Sequence, residues 1–429
     1  MADMFGFAAL HVSAQIGCPA VTLKLLNARA DTNKCAYDRT TALHLAAENG
    51  HLQVVRLLLQ AKADKDKVRS DGASALYLAN EHGHPKIVTL LLEFGANTDS
   101  ARSDNGKTLL HLAVSKRYTE VVEMLLQRKA NTDMADTDGL TVLHVAAQLG
   151  GLRVAQMLLN ARADIDQMTH DGATALHLAS AHGHPKFVKM LLDGGAKKDI
   201  AMKNGTTAWH LAASSGHIEV LHWLLLFEVD TDKIRLDDGY TALHLATTNN
   251  HPEVVRLLLA FGADQDQNTR HGESALNLAS DRNHLEVLQL LLTAGANTTK
   301  SLHFAAEKGH LEAVEMLLKA GADSSETQME NGATALHVAA FRGHLDILRL
   351  LLEHGREKDV AMKNGATALH LAACKGHLEV VQLLLDFGAD AEKITADELT
   401  ASQVAAASGN HRCWSILAFR SGLWTDVQA

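Results

Sequence analysis

The chain alternates two kinds of apolar stretch with polar connectors. Between Thr41 and Glu48 the small apolar residues Ala42, Leu43, Leu45, Ala46 and Ala47 crowd together and predict a short helix. From Leu52 onward Val54, Val55, Leu57, Leu58 and Leu59 recur at helical spacing and predict a second helix. Thr41 is a good N-cap for the first helix, and Gly50 supplies the left-handed residue that ends it. An extended polar loop leads on to the next cluster.

This helix, turn, helix, loop pattern repeats along the whole chain. The histidine of Thr41-Ala-Leu-His-Leu-Ala-Ala47 has equivalents centred on positions 11, 44, 77, 111, 144, 177, 210, 244, 277, 303, 337, 370 and 403. Successive steps are 33 or 34 residues, except for one of 26 before His303. Thirteen repeats account for essentially all 429 residues, so residues 1–429 read as one array with no separate domain. Pro19, Pro85, Pro185 and Pro252 test the register. Each falls at the first position of a second helix, where a missing N–H costs nothing.

The stretch Gly365-Ala-Thr-Ala-Leu-His-Leu-Ala-Ala-Cys-Lys-Gly-His-Leu-Glu-Val-Val-Gln-Leu-Leu-Leu-Asp-Phe-Gly-Ala-Asp390 resembles the ankyrin repeat. The resemblance covers all thirteen repeats. One departure is systematic: the family's T-P-L-H is T-A-L-H or a variant here. Alanine keeps helix propensity but gives up proline's pre-set φ, so each first helix is expected to be slightly less rigid. The resemblance implies an all-α ankyrin-repeat solenoid, a curved stack of helix-turn-helix units with short β-hairpin loops. It also implies protein–protein recognition through a concave groove and hairpin tips, without catalysis. Asp199-Ile-Ala-Met-Lys-Asn-Gly205 returns as Asp359-Val-Ala-Met-Lys-Asn-Gly365, 160 residues later, as if one block had been copied.

Composition narrows the picture further. Aromatic residues are only 4% while apolar residues reach 47%, mostly Ala and Leu, which suits thin layers of closely packed helices. A net charge of −10 argues against a nucleic-acid binder. Four cysteines with no C-x-x-C spacing point to a reducing compartment, cytoplasmic with the nucleus open. The densest apolar run, Leu221 to Phe227, is far below the ~18 residues a membrane span needs, so no insertion is expected. The sequons Asn204-Gly-Thr206 and Asn297-Thr-Thr299 then read as incidental.

Twenty-six histidines raise metal binding or catalysis, and their positions answer it. Ten occupy the reference place and nine sit seven residues later, so they read as framework. The pairs His82/His84 and His182/His184 lack a third ligand by spacing. Asn105-Gly-Lys-Thr108 imitates the end of a phosphate loop, but Ala101 stands where the first glycine is required. Cys18, Cys35, Cys374 and Cys413 sit in no activating pattern; Cys374 is expected to face the groove. The expectation is no catalytic residue, no metal and no cofactor.

A partner is expected at the exposed end of each first helix. Five residues past the reference stand Asn49, His82, Lys116, Leu149, His182, Ser215 and Asn249, then Arg282, Lys308, Arg342 and Lys375. The last four are consecutive and basic. Stacked helices lie ~10 Å apart and an extended peptide rises ~3.3 Å per residue, so an acidic residue at every third position would match them. Phe341 stands beside them as an apolar anchor, and Tyr240 and Tyr118 are further contact candidates. The alternative is a solvated face balanced by Asp281 and Glu307. Trp209 reads as packing, and Trp414 and Trp424 as caps of the last repeat.

Two irregularities remain. The short step removes a finger at 296–302, leaving a gap in the row or a bend, unless it reflects a gene-model error. The glycine after the second helix is replaced by Arg29, Lys62, Lys129, Arg162 and Glu228 but is kept from Gly262 to Gly388, so the C-terminal half is expected to be the more stable. The sequence reads as a monomeric scaffold for other proteins, including an acidic peptide or surface. A substrate-recruiting adaptor, or the ankyrin region of a larger protein, is the alternative; the first repeat's start near Phe7 without a finger favours the latter.

Overall fold

A computed structural model describes residues 6–298, 300–323, 331–355 and 358–420. Twenty-six helices, α1 to α26, alternate as first and second members of helix pairs among these residues. The contacts divide the chain into two compact parts, Met1–Ala212 with Glu219–Val229, and Ala213–Ile218 with Asp230–Ala429. The first part holds α1 and α2 (Ala9–Ile16, Pro19–Asn27), α3 and α4 (Ala42–Glu48, Leu52–Gln60), and α5 and α6 (Ala75–Glu81, Pro85–Glu93). It continues with α7 and α8 (Leu109–Ser115, Thr119–Gln127), α9 and α10 (Val142–Leu149, Leu152–Asn160), and α11 and α12 (Ala175–Ala181, Pro185–Asp193). Residues of α13 and α14 (Ala208–Ser214, Ile218–Leu226) fall in both parts. The second part holds α15 and α16 (Ala242–Thr248, Pro252–Ala260), α17 and α18 (Ala275–Arg282, Leu285–Thr293), and α19 and α20 (Ser301–Lys308, Leu311–Lys319). It ends with α21 and α22 (Ala335–Arg342, Leu345–His354), α23 and α24 (Ala368–Lys375, Leu378–Asp386), and α25 and α26 (Ala401–Ala407, His411–Arg420).

Within each part, helix pairs pack in sequence order, first helix on first helix and second on second. The first helices are short and alanine-rich because they are enclosed: α3 buries six consecutive residues, Ala42 to Ala47. The second helices bury one face, as Val54, Val55, Leu58 and Leu59 do in α4. All four prolines open second helices, at the first turn of α2, α6, α12 and α16. Trp209 is buried to 2% exposure, as packing requires.

The fingers differ from the expected β-hairpins. Among the described residues they show no strands, only isolated bridges at Val68–Ser74, Ala101–Thr108 and Ile394–Thr400. The arms are too short for a ladder. In the finger of Gly72 the Arg69 amide donates to the Ala73 carbonyl and the turn closes at once. Adjacent fingers are tied sideways, Ser70 N–H to Asp38 and Ser103 N–H to Asp71, and Gly72 (φ +83°) is required because a Cβ there would lie 2.5 Å from the Ser103 nitrogen.

At the short step, Lys300 takes the N-cap place of α19 in a left-handed conformation (φ +68°) and caps nothing. Helices α17, α19 and α21 nevertheless pack one after another, so the lost residues come out of the finger row without interrupting the helices. The residues after the second helices behave as expected where glycine is replaced: Arg29, Lys62, Lys129, Arg162 and Glu228 are all left-handed. Gly355 departs from the pattern. Helix α22 runs on to His354 and Gly355 is extended (φ −105°), so its glycine meets no left-handed requirement.

Candidate functional site

The histidines form the frame on which any site is built. In α3 the Thr41 amide donates to His44 Nδ1 at 3.1 Å, while Thr41 Oγ1 accepts from the His44 amide. An Nδ1 that accepts leaves the proton on Nε2, which donates to the Lys67 carbonyl at 2.9 Å in the next loop. His111 and His370 make the same long-range bond, to Leu140 and Leu399. Burial drives the imidazoles of His44, His177, His244 and His337 down to about 4. His303 keeps its bond to Ala333, but its buried Nδ1 has no partner because Lys300 replaces the capping threonine.

The second histidines lock neighbouring repeats. Nε2 of His51, His84, His184, His310 and His377 reaches back about one repeat to the carbonyls of Gln15, Glu48, Gln148, Asp281 and Phe341, at 3.0 Å in each case. His82 and His182 turn their Nδ1 to carbonyls of their own helices, Leu78 and Leu178. Among the described residues no group of three His, Cys, Asp or Glu side chains is placed to hold a metal. The four cysteines are free; Cys374 is half-buried with Ser408 Oγ at 3.6 Å.

The basic row is placed by the second part's first helices. Arg282, Lys308, Arg342 and Lys375 are each the last residue of α17, α19, α21 and α23, where a cation complements the helix dipole. All four are exposed. Three of them reach back onto the preceding repeat. Lys308 Nζ lies 3.5 Å from Asp281 Oδ1, Arg342 lies 2.5 Å from Glu307 Oε1, and Lys375 Nζ sits 4.5 Å from the Phe341 ring centre. Arg282 forms no ion pair among the described residues, so two of the four cations are paired with carboxylates. Phe341 is half-buried, with the Arg342 guanidinium 5.8 Å from its ring and Lys375 closer. Tyr240 is half-buried with its ring 5.5 Å from that of His244. Burial pushes its phenol up, the carboxylates of Glu273 and Asp238 add to this, and Arg282 opposes it. Trp414 is exposed on α26; Trp424 lies outside the described residues.

A family model described as ankyrin repeats matches residues 10–102, 95–169, 143–234, 225–301, 302–395 and 355–423. The chain belongs to the ankyrin-repeat family. Ankyrin repeats are generally protein–protein interaction modules. Comparison with curated proteins gives no match. Among the described residues, no helix of this ankyrin-repeat chain is long and apolar enough to cross a membrane.

The cations and the aromatics were legible as contact candidates; Asn80, buried with neither side-chain amide atom paired, was not. Alanine stands at this place in Ala47, Ala147, Ala306 and Ala340, and the polar residues found there in other repeats, Ser180, Thr247 and Ser280, are smaller, so the available signal was the carboxamide.

Proposed function

We propose that the chain is a non-catalytic scaffold of the cytoplasm or nucleus whose basic row takes an acidic segment of a partner protein. The observation that carries this reading is the row itself: four consecutive repeats end their first helix in an exposed cation. Two internal carboxylates do not neutralise it. The pairs Lys308–Asp281 and Arg342–Glu307 are partly exposed, and such pairs contribute at most about 1 kcal/mol, so a partner's carboxylates can displace them. Phe341 and Tyr240 supply apolar surface beside the cations, and Lys375, stacked on Phe341, leaves its charge available. A segment with carboxylates three residues apart matches a row of stacked helices ~10 Å apart.

The test is capture of partners from cell extract at two salt concentrations, comparing the wild type with a variant carrying R282E, K308E, R342E and K375E. Partners lost in the variant and weakened by salt support the reading. Partners retained by the variant move recognition to the fingers and leave the row a solvated face.

A further inference from the structure

The contact between the third and fourth repeats is built differently from the two before it. Where His51 and His84 tie adjacent repeats through a ring N–H, Tyr118 stands as the N-cap of α8. The glycine facing it, Gly83, shows the change: a Cβ on Gly50 would lie 2.7 Å from the His84 ring, whereas one on Gly83 would meet only the Tyr118 hydroxyl, at 3.5 Å. The loosened contact leaves a crevice of about 410 Å³ between α5 and the starts of α6 and α8. That size lies within the range of small-ligand pockets.

Asn80 lines this crevice from the last turn of α5. It is 1% exposed, and neither its amide nitrogen nor its amide oxygen has a hydrogen-bond partner. A buried carboxamide left unpaired on both atoms is costly, and alanine serves at this place in other repeats; Ser180 and Thr247, which also stand there, each leave one hydroxyl unpaired but carry no amide. The remaining walls are Tyr118, Pro85 and Val121, with His84 and Thr119 adding polar edges beside Gly83. At the rim Arg117 is occupied, donating to the Leu149 carbonyl at 3.1 Å, and Glu120 offsets its charge.

We propose that this crevice is a binding pocket for a small neutral ligand carrying a planar carboxamide or lactam. The ligand's C=O accepts from the Asn80 amide nitrogen while its N–H donates to the Asn80 oxygen, satisfying both atoms at once. Its flat body lies against Tyr118, Pro85 and Val121. A charged ligand is disfavoured because Arg117 and Glu120 present no net charge. Both amide atoms are sealed from solvent, so the ligand reaches them only when the contact between these repeats opens, which the absence of a histidine bond there permits.

The test is fluorine NMR of 4-fluorobenzamide and of fluorobenzene with the full chain, alongside N-acetylglutamine methylamide, whose binding is read by proton saturation transfer. The expected result is binding of 4-fluorobenzamide at least ten-fold tighter than of fluorobenzene. Asn80→Ala, which places the residue of neighbouring repeats and keeps the fold, removes that preference; Tyr118→His, which restores the histidine contact, weakens binding at least ten-fold. Equal binding of the amide and fluorobenzene, unchanged binding in Asn80→Ala, or no binding at all overturns the proposal. In the last case ordered water satisfies Asn80. Preference for the glutamine derivative over 4-fluorobenzamide overturns the small-ligand assignment and makes the crevice a socket for a partner's side chain.

Discussion

The imidazole of His344 lies directly over Gly309 of the preceding repeat. A Cβ placed on Gly309 would stand 2.8 Å from His344 Cε1, and the glycine's φ is +82°. The glycine is therefore constrained twice, by its own backbone and by a ring from the next repeat.

Replacing Gly309 tests this double constraint. Gly309→Ala is expected to cost at least about 2 kcal/mol, the left-handed penalty plus displacement of the ring. Gly262→Ala, with φ +83° but nothing within 4 Å, is expected to cost only the backbone share of about 1 kcal/mol. Urea unfolding of the two variants measures the difference, and equal losses would remove the ring from the account.

Acid is expected to weaken the fold through the reference histidines. His44, His177, His244 and His337 have imidazoles lowered by burial from 6.5 to about 4. The unfolded chain thus binds more protons between those values. Their contribution is fully present above pH 6.5 and is lost as pH falls toward 4, at up to about 1.4 kcal/mol per pH unit for each. Thermal melts at pH 7.5 and pH 5 should show a lower midpoint in acid. A flat profile would contradict neutral buried imidazoles.

The N-caps differ in a way that substitution can read. Thr241 accepts from the His244 amide and its own amide donates to His244 Nδ1 at 3.2 Å. Thr241→Ala is expected to cost about 1 kcal/mol. Lys300→Ala, at a place whose side chain caps nothing, is expected to change stability by a few tenths. Calorimetry of both variants decides whether capping is lost at the short step.

Left-handed charged residues are expected to be a reservoir of stabilisation. Arg162→Gly, at φ +67°, should gain up to about 1 kcal/mol, as should Lys62→Gly at φ +62°. Because repeat arrays add nearest-neighbour terms, hydrogen exchange should show the C-terminal repeats more protected than the N-terminal ones in the wild type. Equal protection would refute the assignment. The extended Gly355 lies outside this argument, since no strain is relieved there.

Much of the fold was legible because its determinants lie within one period of sequence. The four prolines open second helices as their positions require, and Thr41 caps α3. The fingers were over-read as hairpins because the family resemblance carries that expectation, while these short arms close after a single backbone pair. The basic row was legible from periodicity, but its partners were not resolved. Asp281 and Glu307 were one reading among two, and only the packed helices bring Lys308 and Arg342 onto them.

The sequence by itself determined the repeat, the helix boundaries and the place of each cation, because caps, prolines and apolar spacing act over a few residues. The tertiary structure decided which groups meet across repeats: His377 on the Phe341 carbonyl 36 residues away, Lys375 over the Phe341 ring, and the unpaired amide of Asn80 beside Tyr118. Those contacts depend on how closely each helix pair seats on the one before it. That seating is set by summed packing over many side chains, which no single motif specifies.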